Sequence, residues 1–291
     1  MNIYNDFSEA KQYKKNGIVS IGAFETLHIG HQKLLKNMLN VATEKNLESY
    51  VLTFLNSPKN SSNEKNILEM SDKIEIFRKI GIQNIILCEF NQELKDLNPI
   101  IFAKTLHKNF GITSYYEGED FHFGINKTGN LELLKNEGFE VFIEETFKFD
   151  GKKVSTSEIK KYIKSGSITE VNNRLGYNYF INGVVTKGKQ MGRTIGFPTM
   201  NIQNANVLYP KAGSYFTTTK VGNNEYPSMT FVSESIIESH LIGYKDYEYD
   251  FPIRVDFLQK IRDNKPFNSF DELKEQLRID LDMTKKYFRQ L

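Results

Sequence analysis

The 291-residue sequence contains a single cysteine, Cys88, which excludes a disulfide within the chain. Cys88 lies in the apolar run IILCEF, and we interpret it as a small buried hydrophobic residue without a metal-binding or nucleophilic role. The N-terminal stretch MNIYNDFSEAKQYKK lacks an apolar signal core, and no apolar run is long enough to span a bilayer. These absences exclude a disulfide scaffold and a membrane-spanning protein, and they predict a cytoplasmic location.

The sequence also lacks a strong excess of either charge. Its 38 Lys and Arg residues and 36 Asp and Glu residues leave a net charge of +2, and the two signs are interleaved. Such a mixture usually forms a solvated surface, whereas nucleic-acid binding requires a basic patch. We therefore expect neither a nucleic-acid nor a membrane partner. The length is sufficient for one large domain or two ordinary domains.

Up to about residue 165, strand-like and helix-like runs alternate. Apolar runs such as GIVSIGAF, SYVLTF and NIILCEF are separated by helical periods. Helix starts are predicted at Asp72 and at the dipeptide Asn98-Pro99, and helix ends at Gly81, Gly111 and Gly138. The alternation predicts an α/β fold over residues 1–170, a Rossmann-like domain with a mostly parallel sheet between two layers of helices.

After Gly176 the pattern changes to short β-rich runs separated by turn residues, such as YFINGVVTKG, AGSYFTTTKVG and FPIRVDFLQKI. This pattern predicts a meander of antiparallel strands that closes into a small barrel over residues 171–291. A terminal helix is predicted to begin at Ser269, a residue type that caps helix N-termini well.

The segment GAFETLHIGH at residues 22–31 joins the first strong strand to the first helix. Backbone N–H groups and the helix dipole favour an anion at such a turn, and the imidazoles of His28 and His31 suit a phosphate. Ligands of parallel sheets bind at the carboxyl ends of the strands, where this segment falls. The alternative is a pair of exposed turn histidines.

Two further segments of the first half have ambiguous patterns. In VSTSEIKKYIKSG, the hydroxyl residues at 155–157 open a helix that carries Lys160. These hydroxyls either cap the helix or bind phosphate oxygens. In EGEDFHFGINKTGN, Phe121 and Phe123 either belong to a loop that covers a flat ring or anchor that loop by ordinary hydrophobic packing.

The segment KGKQMGRTIGFPTMNI at residues 187–202 combines glycines with cations and ends in Thr199 and Asn201. Glycines let a backbone approach phosphates closely. Residues two apart on an extended chain share a face, so Thr199 and Asn201 could jointly ligate Mg²⁺. The spacing differs from G-x-x-x-x-G-K-[ST], which excludes a standard P-loop. The alternative is a glycine-rich hairpin.

Together these segments resemble the bacterial bifunctional riboflavin kinase/FMN adenylyltransferase family, also called FAD synthetase, over residues 17–288. That family carries G-x-F-D-G-x-H-x-G-H and [VI]-S-S-T-x-I-R in its first domain, and G-R-x-x-G-F-P-T-x-N, E-x-H and F-L-x-x-I-R in its second. The last three stand here as GRTIGFPTMN, ESHL and FLQKIRDNKPF. The resemblance implies ATP-dependent phosphorylation of riboflavin to FMN, and adenylylation of FMN to FAD with release of pyrophosphate. It implies flavins, ATP and Mg²⁺ as small-molecule partners, and we expect a monomer or weak homo-oligomer.

In the first domain, the resemblance implies that His28 and His31 contact the ATP phosphates and stabilise charge on the α-phosphate and the leaving pyrophosphate. The hydroxyls at 155–157 and Lys160 would hold the far end of the triphosphate. The substrate-binding residues implied here are Gly22, Phe24, Gly30, Asp120, Phe121, Phe123, Ser155, Thr156, Ser157 and Lys160, with Asp120, Phe121 and Phe123 on the flavin side.

In the second domain, the resemblance implies that Thr199 and Asn201 hold Mg²⁺ with ATP. Glu238 would accept the proton of the riboflavin 5′-hydroxyl as that oxygen attacks the γ-phosphate. An ordinary surface glutamate is the alternative. The other residues implied to bind substrate are Lys187, Gly188, Gly192, Arg193, Gly196, Pro198 and Arg262.

Several positions depart from the family pattern. Glu25 and Thr26 stand where the family has Asp-Gly, and Lys160 stands where it has an arginine. The stretch YPSMTFVSESIIESHL runs straight through to Glu238, without most of a loop that the family carries. Three alternatives therefore stay open: a monofunctional FMN adenylyltransferase with an inactive kinase-like domain, a non-catalytic flavin-binding sensor, and a nucleotidylyltransferase for another substrate.

Overall fold

The computed structural model describes residues 1–9, 15–56, 65–188, 192, 196–246 and 249–290. Its contacts divide the chain into two compact units, Met1–Glu64 with Leu68–Val154 and Lys65–Ile67 with Ser155–Leu291. The two helices that follow Val154 group with the second unit, because they pack on each other and the later one contacts a barrel strand. The division by contacts therefore falls earlier than the boundary near residue 170 that the sequence pattern suggests.

The first unit contains a parallel sheet of six strands, as predicted. Its strands and two short hairpins are β1 (Asn2–Tyr4), β2 (Gly17–Ile21), β3 (Glu48–Phe54), β4 (Asn84–Cys88), β5 (Ile112–Gly118), β6 (His122–Phe123), β7 (Gly129–Asn130), β8 (Glu140–Glu144), β9 (Lys148–Phe149) and β10 (Lys152–Lys153). The sheet order is β1-β4-β3-β2-β5-β8. The chain runs from β2 through β3 to β4 on one side, and β5 and β8 lie on the other. The boundary between β2 and β5 is therefore the topological switch point, where α/β folds bind ligands.

Helices cover both faces of this sheet. They are α1 (Ile29–Glu44), α2 (Met70–Ile80), α3 (Gln92–Asp96), α4 (Pro99–Phe110) and α5 (Leu131–Asn136). One apolar cluster joins the sheet to α1 and α2, and another joins it to α4 and α5. Because β2 and β4 contribute to both clusters, both strands are buried along their whole length.

The predicted starts and ends of the helices agree with the observed ones, except for the start of α2. Asn98 caps α4 by accepting the N–H of Ile100 at 2.9 Å, and α2 ends at Gly81 in a left-handed conformation. The prediction that α2 starts at Asp72 was wrong, because the helix begins at Met70. The carboxylate of Asp72 reaches back to the N–H of Glu69 at 3.1 Å, as an acidic residue at the third helical position does.

The second unit contains a closed antiparallel barrel, also as predicted. Its elements are α6 (Thr156–Ser165), α7 (Ile168–Leu175), β11 (Phe180–Thr186), β12 (Met200–Ile202), β13 (Gly213–Val221), β14 (Asn224–Val232), β15 (Ile237–Leu241), β16 (Pro252–Asp263) and α8 (Phe270–Arg289). The strands close in the order β11-β12-β15-β14-β13-β16. Residues 233–236 make the short connection between β14 and β15.

A chain of hydrogen-bonded hydroxyls crosses the buried side of β13, β14 and β15. The successive oxygen–oxygen distances are 2.8, 2.7, 2.6 and 2.7 Å, and all five side chains are fully buried. In order, the residues of this hydroxyl chain are Thr219, Ser228, Thr217, Thr230 and Ser239. Each buried hydroxyl thus has the partner that it needs away from water.

Helix α8 is tied to the barrel by a buried carboxylate. Asp280 binds the guanidinium of Arg262 with nitrogen–oxygen distances of 2.7 to 3.1 Å, and it also accepts from Ser214 at 3.3 Å. Tyr287 stacks on Phe216 with ring centroids 4.4 Å apart. Among the described residues, no helix combines the length and apolar character needed to cross a bilayer.

Candidate active sites

Helix α1 begins directly after the first histidine of the GAFETLHIGH segment. His28 is the N-cap, and its Nδ1 atom accepts the backbone N–H of His31 at 3.2 Å. In a neutral imidazole whose Nδ1 accepts, the proton lies on Nε2, so His28 presents an Nε2–H donor. The first N–H groups of a helix favour an anion at the same place.

The imidazole rings of His28 and His31 stack with centroids 3.7 Å apart and an angle of 10° between their planes. His28 is only 8% exposed, so the alternative of two exposed turn histidines is wrong. Burial lowers the pKa of His28 to about 4, and the charge of Lys153 lowers it as well. Burial, followed by the effects of His28 and Lys73, lowers the pKa of His31 well below its usual value. Both rings are therefore neutral near pH 7 and offer hydrogen-bond donors.

The turn that precedes α1 is left-handed at two positions that are not glycine. Phe24 and Leu27 both have a φ of 43°, and both side chains are buried. The ring of Phe24 makes edge-to-face contacts with Phe77 and His31, at centroid distances of 5.7 and 5.2 Å. A left-handed conformation costs roughly 1–2 kcal/mol for a residue with a side chain. The packing of Phe24 and Leu27 must therefore offset this cost.

Two glycines of the segment lie close to these aromatic rings. A Cβ atom at Gly22 would lie 3.1 Å from the Phe24 ring, and one at Gly30 would lie 3.2 Å from Cε1 of His28. Both distances are tighter than most Cβ contacts. The small residues therefore let the Phe24 and His28 rings lie directly against the backbone.

Glu117 of β5 bonds to the backbone of β2 at the switch point. The main-chain pairing of β2 with β5 ends at Val19 and Tyr115, and Oε1 of Glu117 accepts the N–H of Ile21 at 2.7 Å. Burial raises the pKa of Glu117 well above its usual value, which favours the neutral acid. The carboxyl group therefore accepts the backbone N–H of Ile21 without placing a negative charge next to residues 22–31, which we call the histidine turn.

The predicted flavin-side residues form a small aromatic cluster with an ion pair. Phe121 and Phe123 stack at 5.2 Å, and both pack against the apolar cluster that contains α4 and α5. Asp120 pairs with Lys153 at 2.5 Å on the exposed side. The two rings thus anchor their loop by hydrophobic packing, and their contact with a flavin stays a prediction.

The hydroxyl residues at 155–157 begin α6. Ser155 is its N-cap and accepts the N–H of Glu158 at 3.3 Å, so capping describes what Ser155 does here. A carboxylate oxygen of Glu158 lies 3.4 Å from Nε of Arg174. Thr156, Ser157 and Lys160 follow in the first turns of a helix that groups with the second unit, and their triphosphate role stays a prediction.

The second unit brings Thr199, Asn201 and Glu238 together. Strand β12 pairs with β15 so that Asn201 lies directly opposite Glu238, and such residues share a face with Cβ atoms about 5 Å apart. The hydroxyl of Thr199 donates to Oδ1 of Asn201 at 3.2 Å. The side chains of Thr199 and Asn201 therefore meet, as a joint role in binding a metal would require.

Gly188 provides space for the side chain of Asn201. A Cβ atom at Gly188 would lie 1.6 Å from Nδ2 of Asn201, and one at Gly192 would lie 2.3 Å from the carbonyl oxygen of Phe197. Gly196 adopts a φ of 87°, a conformation that favours glycine. Each of these glycines therefore has a steric or conformational reason to be a glycine.

His240 fixes the segment that precedes β12. Its Nδ1 atom lies 2.8 Å from the carbonyl oxygen of Pro198, and its ring contacts Phe197 with centroids 5.7 Å apart. Burial lowers the pKa of His240, which favours the neutral ring with its proton on Nδ1. His240 therefore ties β15 to the residue just before Thr199.

The other predicted residues of the second unit are less closely grouped. Lys187 is exposed at the end of β11, and Arg193 lies outside the described residues. Arg262 binds Asp280, so its guanidinium already has a structural partner. The substrate roles assigned to these three residues stay predictions.

Sequence reasoning missed Lys73, Glu117 and His240. Lys73 lies four residues before the buried Phe77, and this spacing on a helix would have indicated a lysine on the apolar face. Glu117 lies in a strand whose inner residues are buried. His240 belongs to the quoted E-x-H motif, but the sequence pattern carries no information on its contact with Pro198.

Two family models match the chain, the one described as FAD synthetase over residues 10–158 and the one described as riboflavin kinase over residues 175–288. The bifunctional riboflavin kinase/FMN adenylyltransferase of Buchnera aphidicola subsp. Schizaphis graminum is 30% identical over 309 residues, covering 99% of each chain. The protein of the same name from Haemophilus influenzae is 28% identical over 307 residues, also covering 99% of each chain. A crystal structure from Streptococcus pneumoniae, described as a macrolide-efflux protein, has a TM-score of 0.90 at 26% identity and covers 97% of this chain and 98% of that chain.

Proposed function

Because the chain belongs to the bifunctional riboflavin kinase/FMN adenylyltransferase family, we propose which of its residues perform each half of the reaction. The protein phosphorylates riboflavin to FMN and adenylylates FMN to FAD, with ATP as the second substrate of both steps. The alternatives with one activity or none are not favoured, because both family models match and the relatives are named for both activities.

The histidine turn carries the assignment of adenylyl transfer to the first unit. In this step an oxygen of the FMN phosphate attacks the α-phosphorus of ATP, and the bond to pyrophosphate breaks. We assign to the Nε2–H of His28 a hydrogen bond to a phosphate oxygen whose negative charge grows during the attack. A neutral donor suits this role because it needs no proton transfer. His31 and the first N–H groups of α1 would bind the same phosphates.

The flavin is proposed to bind at the loop that carries Phe121 and Phe123. Their stacked rings lie at the carboxyl end of β5, next to the switch point where ligands of this fold class bind. Offset stacking on such rings would hold a flat isoalloxazine. Asp120 would stay paired with Lys153 and keep the loop in place.

Glu238 is proposed as the base of the kinase step. Its carboxylate would accept the proton of the riboflavin 5′-hydroxyl as that oxygen attacks the γ-phosphorus and ADP leaves. The observation that supports this role is the register of β12 and β15, which places Glu238 opposite Asn201. The phosphate that receives the attack would therefore be held next to the base.

Mg²⁺ fits the oxygen atoms of this face. The Thr199 hydroxyl and Asn201 Oδ1 lie within 3.2 Å of each other, and a hard cation prefers such oxygen ligands. No group of three or more His, Cys, Asp or Glu residues in the described part of the chain offers an alternative metal site. When bound, Mg²⁺ would neutralise phosphate charge, and Thr199 and Asn201 would hold it.

Chromatography of flavins tests both assignments in one experiment. The purified protein is incubated with ATP and Mg²⁺ and either riboflavin or FMN, and the products are separated. The wild type should form FAD from both. His28→Asn retains a good N-cap but lacks the Nε2–H donor, so it should accumulate FMN from riboflavin. Glu238→Gln should form FAD from FMN alone. If either variant lost both activities or neither, the corresponding assignment would be wrong.

A further inference from the structure

Helix α2 carries a buried lysine that points to the histidine turn. Lys73 is only 8% exposed, and its ammonium donates to the backbone carbonyl oxygen of Ala23 at 3.0 Å. Lysine is almost never buried unless it is paired. The position therefore needs an explanation beyond the packing of α2.

The carbonyl group that Lys73 binds belongs to the strained part of the turn. Ala23 immediately precedes Phe24, one of the two left-handed residues, and Thr53 donates to the same carbonyl oxygen at 3.2 Å. At the other end of the turn, Nε2 of Gln32 donates to the carbonyl oxygen of Leu27 at 2.8 Å. Side chains from β3, α1 and α2 thus hold a backbone shape that its own residues do not favour.

The charges around the ammonium are also specific. Burial lowers the pKa of Lys73 to about 8, while Glu25, itself buried, raises it. His31 of α1 faces the ammonium, and the charge of Lys73 lowers the pKa of His31. On α2 itself, Asp72 is bonded to the N–H of Glu69. Glu25 from the turn and His31 from α1 are therefore titratable groups that face Lys73.

We propose that Lys73 is a positioning residue for adenylyl transfer. It holds the carbonyl group of Ala23, so that His28 and His31 stay aligned. It also places a positive charge next to His31, where the ATP phosphates bind. This inference rests on the function proposed for the first unit. The bond to Ala23 fixes the geometry of the turn. The charge offsets part of the negative charge that a triphosphate brings to two neutral imidazoles.

The proposal predicts a linkage between ATP binding and the protonation of Lys73. A triphosphate stabilises the ammonium, so ATP binding raises the Lys73 pKa in the complex. The Michaelis constant for ATP in adenylyl transfer should therefore increase as the pH rises through about 8. The kinase reaction of the same chain does not use this turn and should lack that increase.

Three variants test the proposal in the full chain. Lys73→Met removes the charge, and Lys73→Arg keeps a charge that does not titrate in this range. Lys79→Met is the matched control, because Lys79 lies on the same helix with a 65% exposed side chain paired to Glu75. FAD formation from FMN is measured against ATP concentration between pH 6.5 and 9, with riboflavin kinase activity measured on the same samples.

We expect Lys73→Met to reduce kcat/KM for adenylyl transfer by about 100-fold, the size of effect that a misplaced group produces, while kinase activity stays within about two-fold of the wild type. Lys73→Arg should recover part of the loss and abolish the rise in KM through pH 8. Lys79→Met should behave as the wild type.

Separate outcomes overturn the inference and the proposed function. If the wild type forms no FAD from FMN, the proposed function fails, and the inference fails with it. If the wild type forms FAD but Lys73→Met retains full activity, only the inference fails. If Lys73→Met impairs the fold of the first unit, the test depends on Lys73→Arg. A KM for ATP that still rises through pH 8 in Lys73→Arg would overturn the role of the Lys73 charge.

Discussion

Replacing Gly188 with alanine should disable the kinase and spare the adenylyltransferase. The new Cβ atom would lie 1.6 Å from Nδ2 of Asn201, whereas an ordinary contact begins at 3.4 Å, so the two groups must separate by about 2 Å. Asn201 is the side chain opposite Glu238, and moving it displaces a ligand proposed for Mg²⁺. A displacement of 1 Å at a reacting centre costs about 100-fold in rate, so we expect at least that loss in kcat/KM for riboflavin.

The assay is the formation of FMN from riboflavin, with FAD formation from FMN measured on the same sample. Gly222→Ala is the matched control, because Gly222 also lies in the barrel and a Cβ atom there would meet nothing within 4 Å. It has a φ of 58°, so the control carries a conformational cost of roughly 1–2 kcal/mol without a clash. It should leave both activities close to those of the wild type.

A double-mutant cycle identifies whether the loss passes through Asn201. If Gly188→Ala acts by displacing that side chain, Asn201→Ala should cause a similar loss, and the combined variant should lose little more. Full additivity of the two losses would show that Gly188 acts elsewhere. Kinase activity of Gly188→Ala within about three-fold of the wild type would refute the reasoning, because it would mean that displacing Asn201 by about 2 Å does not affect the kinase step.

Three further results are expected. The pKa of His28 falls from 6.5 to about 4 on folding, so the unfolded chain binds more protons between these values. The stability of the first unit, measured by urea unfolding, should therefore decrease as pH falls through this window, and His28→Asn should reduce that decrease to the share that His31 contributes. Asp280→Ala removes the carboxylate partner of the Arg262 guanidinium and should lower the free energy of unfolding by about 3–5 kcal/mol in the same assay. A change confined to the KM for ATP would indicate a substrate role for Arg262 instead. Thr199→Val should raise the Mg²⁺ concentration for half-maximal kinase activity without affecting FAD formation from FMN, and an unchanged requirement would remove Thr199 from the metal site.

The fold could be predicted from local patterns because capping residues and glycines mark the ends of its elements. The apolar strand runs, the Asn98 cap and the glycine at position 81 matched the observed elements to within about two residues. Strand β1 was not predicted, since three residues, two of them exposed, carry no periodic pattern. The sequence pattern also indicates no division at Val154, because the grouping of α6 and α7 depends on which surface they cover.

The candidate sites could be predicted as residue sets but not as geometry. Residue types and spacing indicated His28 and Asn201, and the family resemblance implied Glu238. The structure supplied the reason that Asn201 and Glu238 meet, the register of β12 with β15. The protonation state of His28 could not be predicted, because it depends on burial by residues distant in the chain. The role of Lys73 could not be predicted for the same reason, since its partner Ala23 lies fifty residues earlier in the chain.

The hydroxyl chain inside the barrel limits how this interior can change during evolution. Thr217 is its middle member, and replacing it with valine would leave the hydroxyls of Ser228 and Thr230 each short of one partner. A buried polar group that loses its partner costs about 1–3 kcal/mol, whereas exchanging all members for apolar residues of similar shape can be nearly neutral. Substitutions are therefore easiest at the two ends, Thr219 and Ser239, and the members should change together among relatives. A slip of β14 by a single residue would turn Ser228 and Thr230 away from this side and break every link, so these hydroxyls also select the register of β14 against β13 and β15.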